Sequence, residues 1–211
     1  MLIPLSKIRK DYNLNIRGVL HIGSHYGEEY WDYVKEGVQK MIFFEPISDN
    51  FKRLEEAHDN RNDVRLIQLA LGSVAGKAEM YVETANKGQS CSLLEPGTHR
   101  TLYPHIQFTG KEMVNVERLD NISFYREDYN MINIDVQGFE LEVFKGAMET
   151  LEYIDYIYAE VNFEEVYKGC ALVWDIDAFL EDFGFERVHT FCPQRTPTEQ
   201  YPWGDALYIK Q

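Results

Sequence analysis

The stretch Gly18-Val19-Leu20-His21-Ile22-Gly23-Ser24-His25-Tyr26-Gly27 decides the fold. Its first half is short, apolar and closed by glycine, which reads as a buried strand entering a tight turn. Residues 28–37 then read as a helix with Tyr30, Trp31 and Val34 inward and Gly37 as its stop. A second apolar strand runs from Lys40 to Glu45 and is closed by Pro46; Ser48 follows as an N-cap, with Phe51, Leu54 and Ala57 marking a second helix. The βα rhythm continues through a third strand at 64–71, extended segments at 77–82 and 113–116, and a strand at 129–135. After these come a helix at 139–149, a strand at 153–161, a helix at 174–183 carrying Ile176, Phe179, Leu180 and Phe183, and two last strands at 185–190 and 205–210.

Alternation of this kind predicts an α/β fold, a doubly wound and mostly parallel sheet with helices on both faces. Two strands arriving together at the end predict an antiparallel finish, because parallel neighbours need a long crossover. Without internal repeat or linker, residues 1–211 read as a single domain, with 1–17 as an N-terminal extension. Residues 84–112 show no period and carry Gly, Pro, Ser, Thr and two histidines, which predicts an acceptor loop or lid.

The 35 acidic against 21 basic residues set a formal charge of −14, which repels phosphate backbones, so no nucleic-acid partner is expected. Three scattered cysteines, Cys91, Cys170 and Cys192, form neither a disulfide framework nor a zinc spacing. Apolar runs of about four residues are far short of the ~18 that span a bilayer, and the N-terminus lacks a signal-peptide core. No membrane association and a cytoplasmic location are expected. The sequence sets no oligomeric state.

In doubly wound sheets, ligands sit beyond the carboxyl ends of the strands. Gly23 and Gly27 allow backbone to approach a bound molecule, though a plain strand-to-helix turn uses glycines too. Glu45 ends the second strand 22 residues after Gly23, where an acid grips both ribose hydroxyls of a nucleoside; a capping carboxylate is the competing reading. Ser-His-Tyr-Gly after Gly23 does not keep the G-x-G-x-x-G register that a dinucleotide pyrophosphate needs. A phosphate-free nucleoside cofactor fits the looser turn better.

The segment Asn133-Ile134-Asp135-Val136-Gln137-Gly138-Phe139-Glu140, continued by Leu141-Glu142-Val143-Phe144-Lys145-Gly146-Ala147, resembles the FkbM family of S-adenosylmethionine-dependent methyltransferases. That family's signature is approximately IDVEGxExxVLKGA, and Gln137 stands where the family often has Glu. The resemblance extends through Ala70-Leu71-Gly72, residues 90–93, Leu119-Asp120 and Trp203-Gly204-Asp205-Ala206-Leu207-Tyr208, covering roughly residues 18–210. It implies a class I methyltransferase sheet, Rossmann-like, with about seven strands and the last antiparallel. It also implies S-adenosyl-L-methionine as cofactor and O-methylation of a sugar, glycan or other small polyhydroxyl acceptor.

Carried onto this chain, the resemblance puts Gly23, Ser24, His25, Tyr26 and Gly27 along the methionine part, and Glu45 with Pro46 at the ribose. Gln68, Ala70 and Leu71 go to the adenine, and Asp135 goes to the methionine amine or the acceptor. His21 departs from the family's usual acid and His25 from its usual Asn, with Glu28 or Glu29 available to compensate.

A hydroxyl is a weak nucleophile, so a base is expected. Asp135, Glu160 and His25 are the candidates, and each has a structural reading beside it: amine holder, surface carboxylate and hydrogen-bonding turn residue. His99 and His105 stand in the 84–112 loop, to close over an acceptor or to be solvated. Asp135 with Glu160 or Asp205 has the chemistry to hold a divalent ion, but no spacing calls for one and no metal is expected. The competing functions are a nicotinamide-dependent oxidoreductase built on the same turn, and a catalytically inactive binding module suggested by His21 and His25.

Overall fold

Five consecutive buried residues, Gly18–Ile22, form strand β1, an interior strand of a seven-stranded sheet. The structure, a computed structural model, describes residues 1–59, 61–196 and 198–211. The strands after β1 are β2 (Lys40–Phe44), β3 (Val64–Ile67), β4 (Ala70–Leu71), β5 (Gly76–Glu83), β6 (Phe108–Glu117), β7 (Met131–Ile134), β8 (Tyr156–Asn162), β9 (Phe185–Phe191), β10 (Gln194–Thr196), β11 (Glu199–Gln200) and β12 (Trp203–Lys210). The main sheet has the order β3-β2-β1-β7-β8-β12-β9, with β12 antiparallel to both neighbours and β3, β2, β1, β7 and β8 mutually parallel. Chain order reverses between β1 and β7, which makes the gap beyond their carboxyl ends the switch point of the sheet.

The α-helices among the described residues are α1 (Leu5–Tyr12), α2 (Tyr30–Lys35), α3 (Ser48–His58), α4 (His99–Leu102), α5 (Glu140–Lys145), α6 (Met148–Leu151) and α7 (Val173–Glu181), and all but α4 lie along the main sheet. Alternate strand residues feed opposite faces. Leu20, Ile22, Ile132 and Ile157 pack with Phe144, Leu151, Ile176 and Leu180 of α5, α6 and α7. Val19, Met41, Phe43 and Met131 pack on the other face with Ile8 of α1, Tyr33 of α2 and Leu54 of α3. The first 17 residues, expected as an extension, thus supply core: Ile3, Leu5, Ile8, Leu14 and Ile16 are all buried. No helix among the described residues is long and apolar enough to cross a membrane.

Several local expectations are corrected. The strand expected over 64–71 is divided between two sheets: the Leu69 N–H donates to the Ile67 carbonyl, the chain turns, and Ala70 pairs with Val116. Strands β4, β6 and β5 make a separate three-stranded sheet, so the segment 84–112, read as loop, contains α4 and the first residues of β6. Trp31 is exposed rather than inward; six residues of helix suffice to bury only Tyr30 and Tyr33. Ser48 begins α3 without a side-chain cap, and its N–H and hydroxyl both donate to Glu112 Oε1, at 2.9 and 2.6 Å.

The helix expected over 139–149 is broken into α5 and α6 at Gly146-Ala147. A β-carbon on Gly146 would lie 2.0 Å from the Gly72 carbonyl oxygen, a contact between two backbones that no side-chain rotation relieves. Gly37, by contrast, has φ +78° but open space around it. Gly37→Ala should therefore cost only the left-handed conformation, ~1 kcal/mol, whereas Gly146→Ala forces overpacking worth roughly 2 kcal/mol or more. Urea unfolding of both variants checks the ordering; equal losses would show that the Gly72 contact does not limit the fold.

Candidate active site

A cavity of about 440 Å³ opens beyond the carboxyl ends of β2, β1, β7 and β8. Strand tips present Glu45, Gly23, Asp135 and Glu160 in that order across the sheet. Three strand spacings of ~4.8 Å separate the first from the last, so the cavity runs about 14 Å along the tips. Gly23 makes this possible. It has φ +79°, and a β-carbon there would fall 1.9 Å from the Asp135 carbonyl oxygen.

Glu45 is buried, with Oε2 accepting the His25 N–H at 3.0 Å and Oε1 accepting the Ile47 N–H at 2.9 Å. Burial outweighs these bonds and pushes its carboxyl up to about 7. Ser24, His25, Pro46, Ala70 and Leu71 line the same end, together with Leu69 and Met80, and Ser90 and Cys91 come in from the loop after β5. Glu83 anchors that loop by accepting the N–H groups of Asn86 (2.6 Å) and Ser90 (3.3 Å).

Three residues expected to touch a cofactor lie off the cavity wall. Tyr26 stacks behind His25 with ring centroids 3.6 Å apart and bonds the Lys87 carbonyl through its hydroxyl. Gly27 packs on His58 and Leu54, and Gln68 donates to Ser48 Oγ at 3.1 Å; its neighbour Leu69 takes the lining position. His25 lines the cavity but does not fit the role of base. Nδ1 faces Glu28 Oε1 at 2.8 Å and Nε2 faces the Lys87 carbonyl at 2.9 Å, so both nitrogens act as donors. Burial opposes the charge, yet the bonds to Glu28 and Lys87 outweigh it and raise the proton affinity of the ring.

His21, the departure at the end of β1, is buried and neutral. Desolvation pulls its pKa down to about 4. It closes a triangle with Tyr33 Oη (3.3 Å) and Asn133 Nδ2 (3.2 Å), and Asn133 also donates to Tyr33 Oη at 2.7 Å. Because the Asn133 amide nitrogen only donates, Nε2 of the ring accepts and the ring proton sits on Nδ1. The acid that His21 lacks is present nearby, since Glu28 and Glu29 both line the cavity.

At the far end, Asp135 and Glu160 are joined by a residue that the sequence singled out only as a departure. Gln137 Nε2 donates to Asp135 Oδ1 (2.7 Å) and Glu160 Oε1 (3.1 Å), and its Oε1 accepts from the Tyr167 hydroxyl at 2.7 Å. Among the described residues neither Asp135 Oδ2 nor Glu160 Oε2 has a protein donor. Asp135 is exposed and lines the cavity, and Glu160 beside it is half-buried. Desolvation and the Asp205 charge raise Asp135, while desolvation and the Asp135 charge raise Glu160 well above the carboxylate range.

Asp205 faces Glu160 across β12 and β8 and accepts the Leu2 N–H at 2.6 Å and the Tyr158 hydroxyl. Among the described residues, no group of three or more His, Cys, Asp or Glu side chains is arranged to hold a metal ion. His99 lines the cavity from α4, while His105 lies outside it. Gln137, Asn162, Tyr103, Tyr167 and Trp203 also line the cavity without having been read as site residues: Gln137 and Trp203 stand in segments of the family resemblance that gave them no role, and the other three lie in no motif.

A profile of the Methyltransferase FkbM domain matches residues 21–187. The chain is 27% identical over 159 residues to the 2-O-methyltransferase NoeI of Sinorhizobium fredii (strain NBRC 101917 / NGR234), a match covering 72% of this chain and 65% of that protein. The chain thus spans less than two thirds of the curated relative it matches. Among solved structures, magnesium protoporphyrin IX methyltransferase (ChlM) from Synechocystis PCC 6803 with bound SAM superposes with a TM-score of 0.54 at 11% identity, covering 98% of this chain and 76% of that one. The ribosomal protein L11 methylase from Lactobacillus delbrueckii subsp. bulgaricus gives 0.53 at 10% identity, covering 99% and 77%. These structural likenesses establish the class I methyltransferase fold.

The buried carboxylates carry a pH dependence whose sign follows from their shifts. Glu140, fully buried, accepts the Val136 and Gly138 N–H groups at 3.0 and 3.1 Å through Oε1, while its Oε2 has no partner. Desolvation lifts it from 4.5 to about 7. Between those values the folded protein binds more protons than the unfolded chain, so this contribution is whole below about 4.5 and is lost as pH rises through about 7. The shift is worth on the order of 3 kcal/mol. Glu140→Gln should therefore gain stability relative to wild type as pH is raised from 5 to 8 in urea unfolding; a difference that stays flat or shrinks would contradict the assignment.

Proposed function

As the chain belongs to the FkbM methyltransferase family, we propose that it transfers a methyl group from S-adenosyl-L-methionine to a hydroxyl oxygen of a small polyhydroxyl acceptor, a sugar or glycan. The observation that carries the reading is the pairing, within one cavity, of a nucleoside end at Glu45 with a bridged acid pair at Asp135 and Glu160. The 2-O-methyl transfer in the name of the relative NoeI supports oxygen as the receiving atom.

The residues present fit the cofactor. Six carboxylates line the cavity (Glu28, Glu29, Glu45, Asp135, Glu160 and Asp205), with no Lys or Arg side chain among the described lining residues. Such a surface favours a sulfonium cation with an ammonium group and disfavours a pyrophosphate, which weighs against the nicotinamide reading. His21, which suggested an inactive fold, has a structural role in its triangle with Tyr33 and Asn133, so that motive falls away.

S-adenosylmethionine, when bound, supplies an electrophilic methyl on sulfur. Glu45, held by two backbone N–H groups, offers oxygens to the ribose hydroxyls. The Gly23 bend lets backbone approach the methionine part, and Leu69, Ala70 and Leu71 wall the adenine. Asp135 faces the methionine amine. Glu160, whose proton affinity is raised by burial, takes the acceptor hydroxyl proton at Oε2, a base contribution of ~10²–10⁴-fold.

Calorimetry with S-adenosylmethionine should show saturable binding to wild type, weakened about tenfold or more in Glu45→Ala. Glu160→Gln should keep that affinity yet lower acceptor-dependent S-adenosylhomocysteine release by about 10² or more. Unaltered affinity in Glu45→Ala, or full turnover in Glu160→Gln, would overturn the respective assignment.

A further inference from the structure

Beyond the methyl end, the cavity wall is a patch of four side chains on two antiparallel strands. Trp203 pairs with Asn162 and Asp205 with Glu160 across β12 and β8, and residues two apart on a strand share a face. The patch therefore sets an indole and an amide beside two carboxylates, at cross-strand spacings of ~5 Å. Tyr103, at the end of α4, extends it: its hydroxyl accepts the Trp203 indole N–H at 2.8 Å, and Tyr201 stacks behind it with centroids 5.8 Å apart and planes 10° apart. Trp203 and Tyr103 are only partly covered, so aromatic surface faces the cavity.

An independent sign of a ligand is the Asn162 amide. Asn162 is 1% exposed and lines the cavity, yet its Nδ2 has no hydrogen-bond partner. A buried donor left unmade costs ~1–3 kcal/mol, which a ligand acceptor atom would recover. His99, also buried on this wall, has an orphaned Nδ1.

We propose that Trp203, Tyr103, Asn162 and Glu160 form the acceptor subsite for an uncharged pyranose, one C–H face on the aromatic rings and its hydroxyls on Asn162 Nδ2 and the Glu160 carboxylate. This rests on the methyl-transfer reading above and adds the selection rule: acidic sugars are rejected. A sugar ring has apolar C–H faces and a polar rim, which an aromatic wall edged by an amide and a carboxylate complements. A uronate or phosphorylated sugar would bring a further anion beside Asp135, Glu160 and Asp205; no Lys or Arg side chain is among the described lining residues, and the two cations there already face acids, the Met1 ammonium at 3.1 Å from Glu29 and His25 at 2.8 Å from Glu28.

Trp31 and Trp174 are exposed, so their replacement by Phe in one protein leaves Trp203 as the sole indole. This protein, saturated with S-adenosylhomocysteine at pH 8, would be titrated with the methyl glycosides of glucose, galactose, mannose and xylose, with methyl glucuronide and galacturonide, and with phenol. At least one neutral glycoside should change Trp203 emission saturably, and the uronides should bind about tenfold or more weakly. Asn162→Ala, read by the same emission, and Trp203→Phe in the otherwise native chain, read by calorimetry because the reporting indole is gone, should each weaken that glycoside while leaving S-adenosylhomocysteine affinity within twofold, which also reports correct folding. No response to any glycoside, equal binding of a uronide, or tighter binding of phenol would overturn the subsite. Failure to bind S-adenosylhomocysteine would instead sink the cofactor reading.

Discussion

The site depends on two backbones meeting with nothing between them. Gly23 ends β1 and Asp135 follows β7, and the space for a β-carbon at residue 23 is taken by the Asp135 carbonyl oxygen. These are the two strands between which chain order reverses, so their divergent connections leave a cleft and their close approach supplies its floor. Any side chain at residue 23 would both strain a left-handed backbone and wedge the strand tips apart. Glu45 and Glu160, one strand further out on either side, take their places relative to that floor.

From the floor, order spreads through the turn after β7. Glu140, at the start of α5, folds back to accept the Val136 and Gly138 N–H groups, while Ser92 Oγ donates to the Gln137 carbonyl at 2.8 Å. Gln137 is thereby held at φ +56°, a conformation that side-chain-bearing residues seldom adopt and that persists only when its surroundings impose it. The same Ser92 bond ties the loop after β5 to the end of β7, so the wall at the Glu45 end and the acid pair share one support. A buried carboxyl at residue 140 is costly, but it sets the turn that aims Gln137.

The sheet was legible because buried parallel strands are short apolar runs ended by glycine or an acid: Gly18–Ile22, Lys40–Phe44 and Met131–Ile134 follow that rule closely. Breaks set by tertiary contact were not. Nothing local divides β3 from β4 or α5 from α6; the first follows from Ala70 pairing with Val116, the second from Gly72 pressing on Gly146. In the site, residues at strand tips were readable, since topology alone sends them to the cleft. Tyr26, Gly27 and Gln68 lie off the cavity wall because neighbours of a tip need not share its direction. Asn162 and Trp203 went unseen because their meeting is a matter of register between two strands 41 residues apart.

Gln137 shows how one uncharged atom pair changes the chemistry of its neighbours. The family signature often has Glu at this position; a carboxylate there could accept from Tyr167 but could donate to neither Asp135 nor Glu160, and would add a charge beside two groups already raised by desolvation and by the acids around them, Asp205 on Asp135 and Asp135 on Glu160. The amide does both jobs at once, donating from Nε2 to the two acids and accepting at Oε1. It therefore joins Asp135 and Glu160 through one uncharged amide nitrogen, leaving the second oxygen of each acid without a protein donor among the described residues. With a glutamate here, the same proximity would require a shared proton or a bound cation, and the acid pair would answer to pH differently.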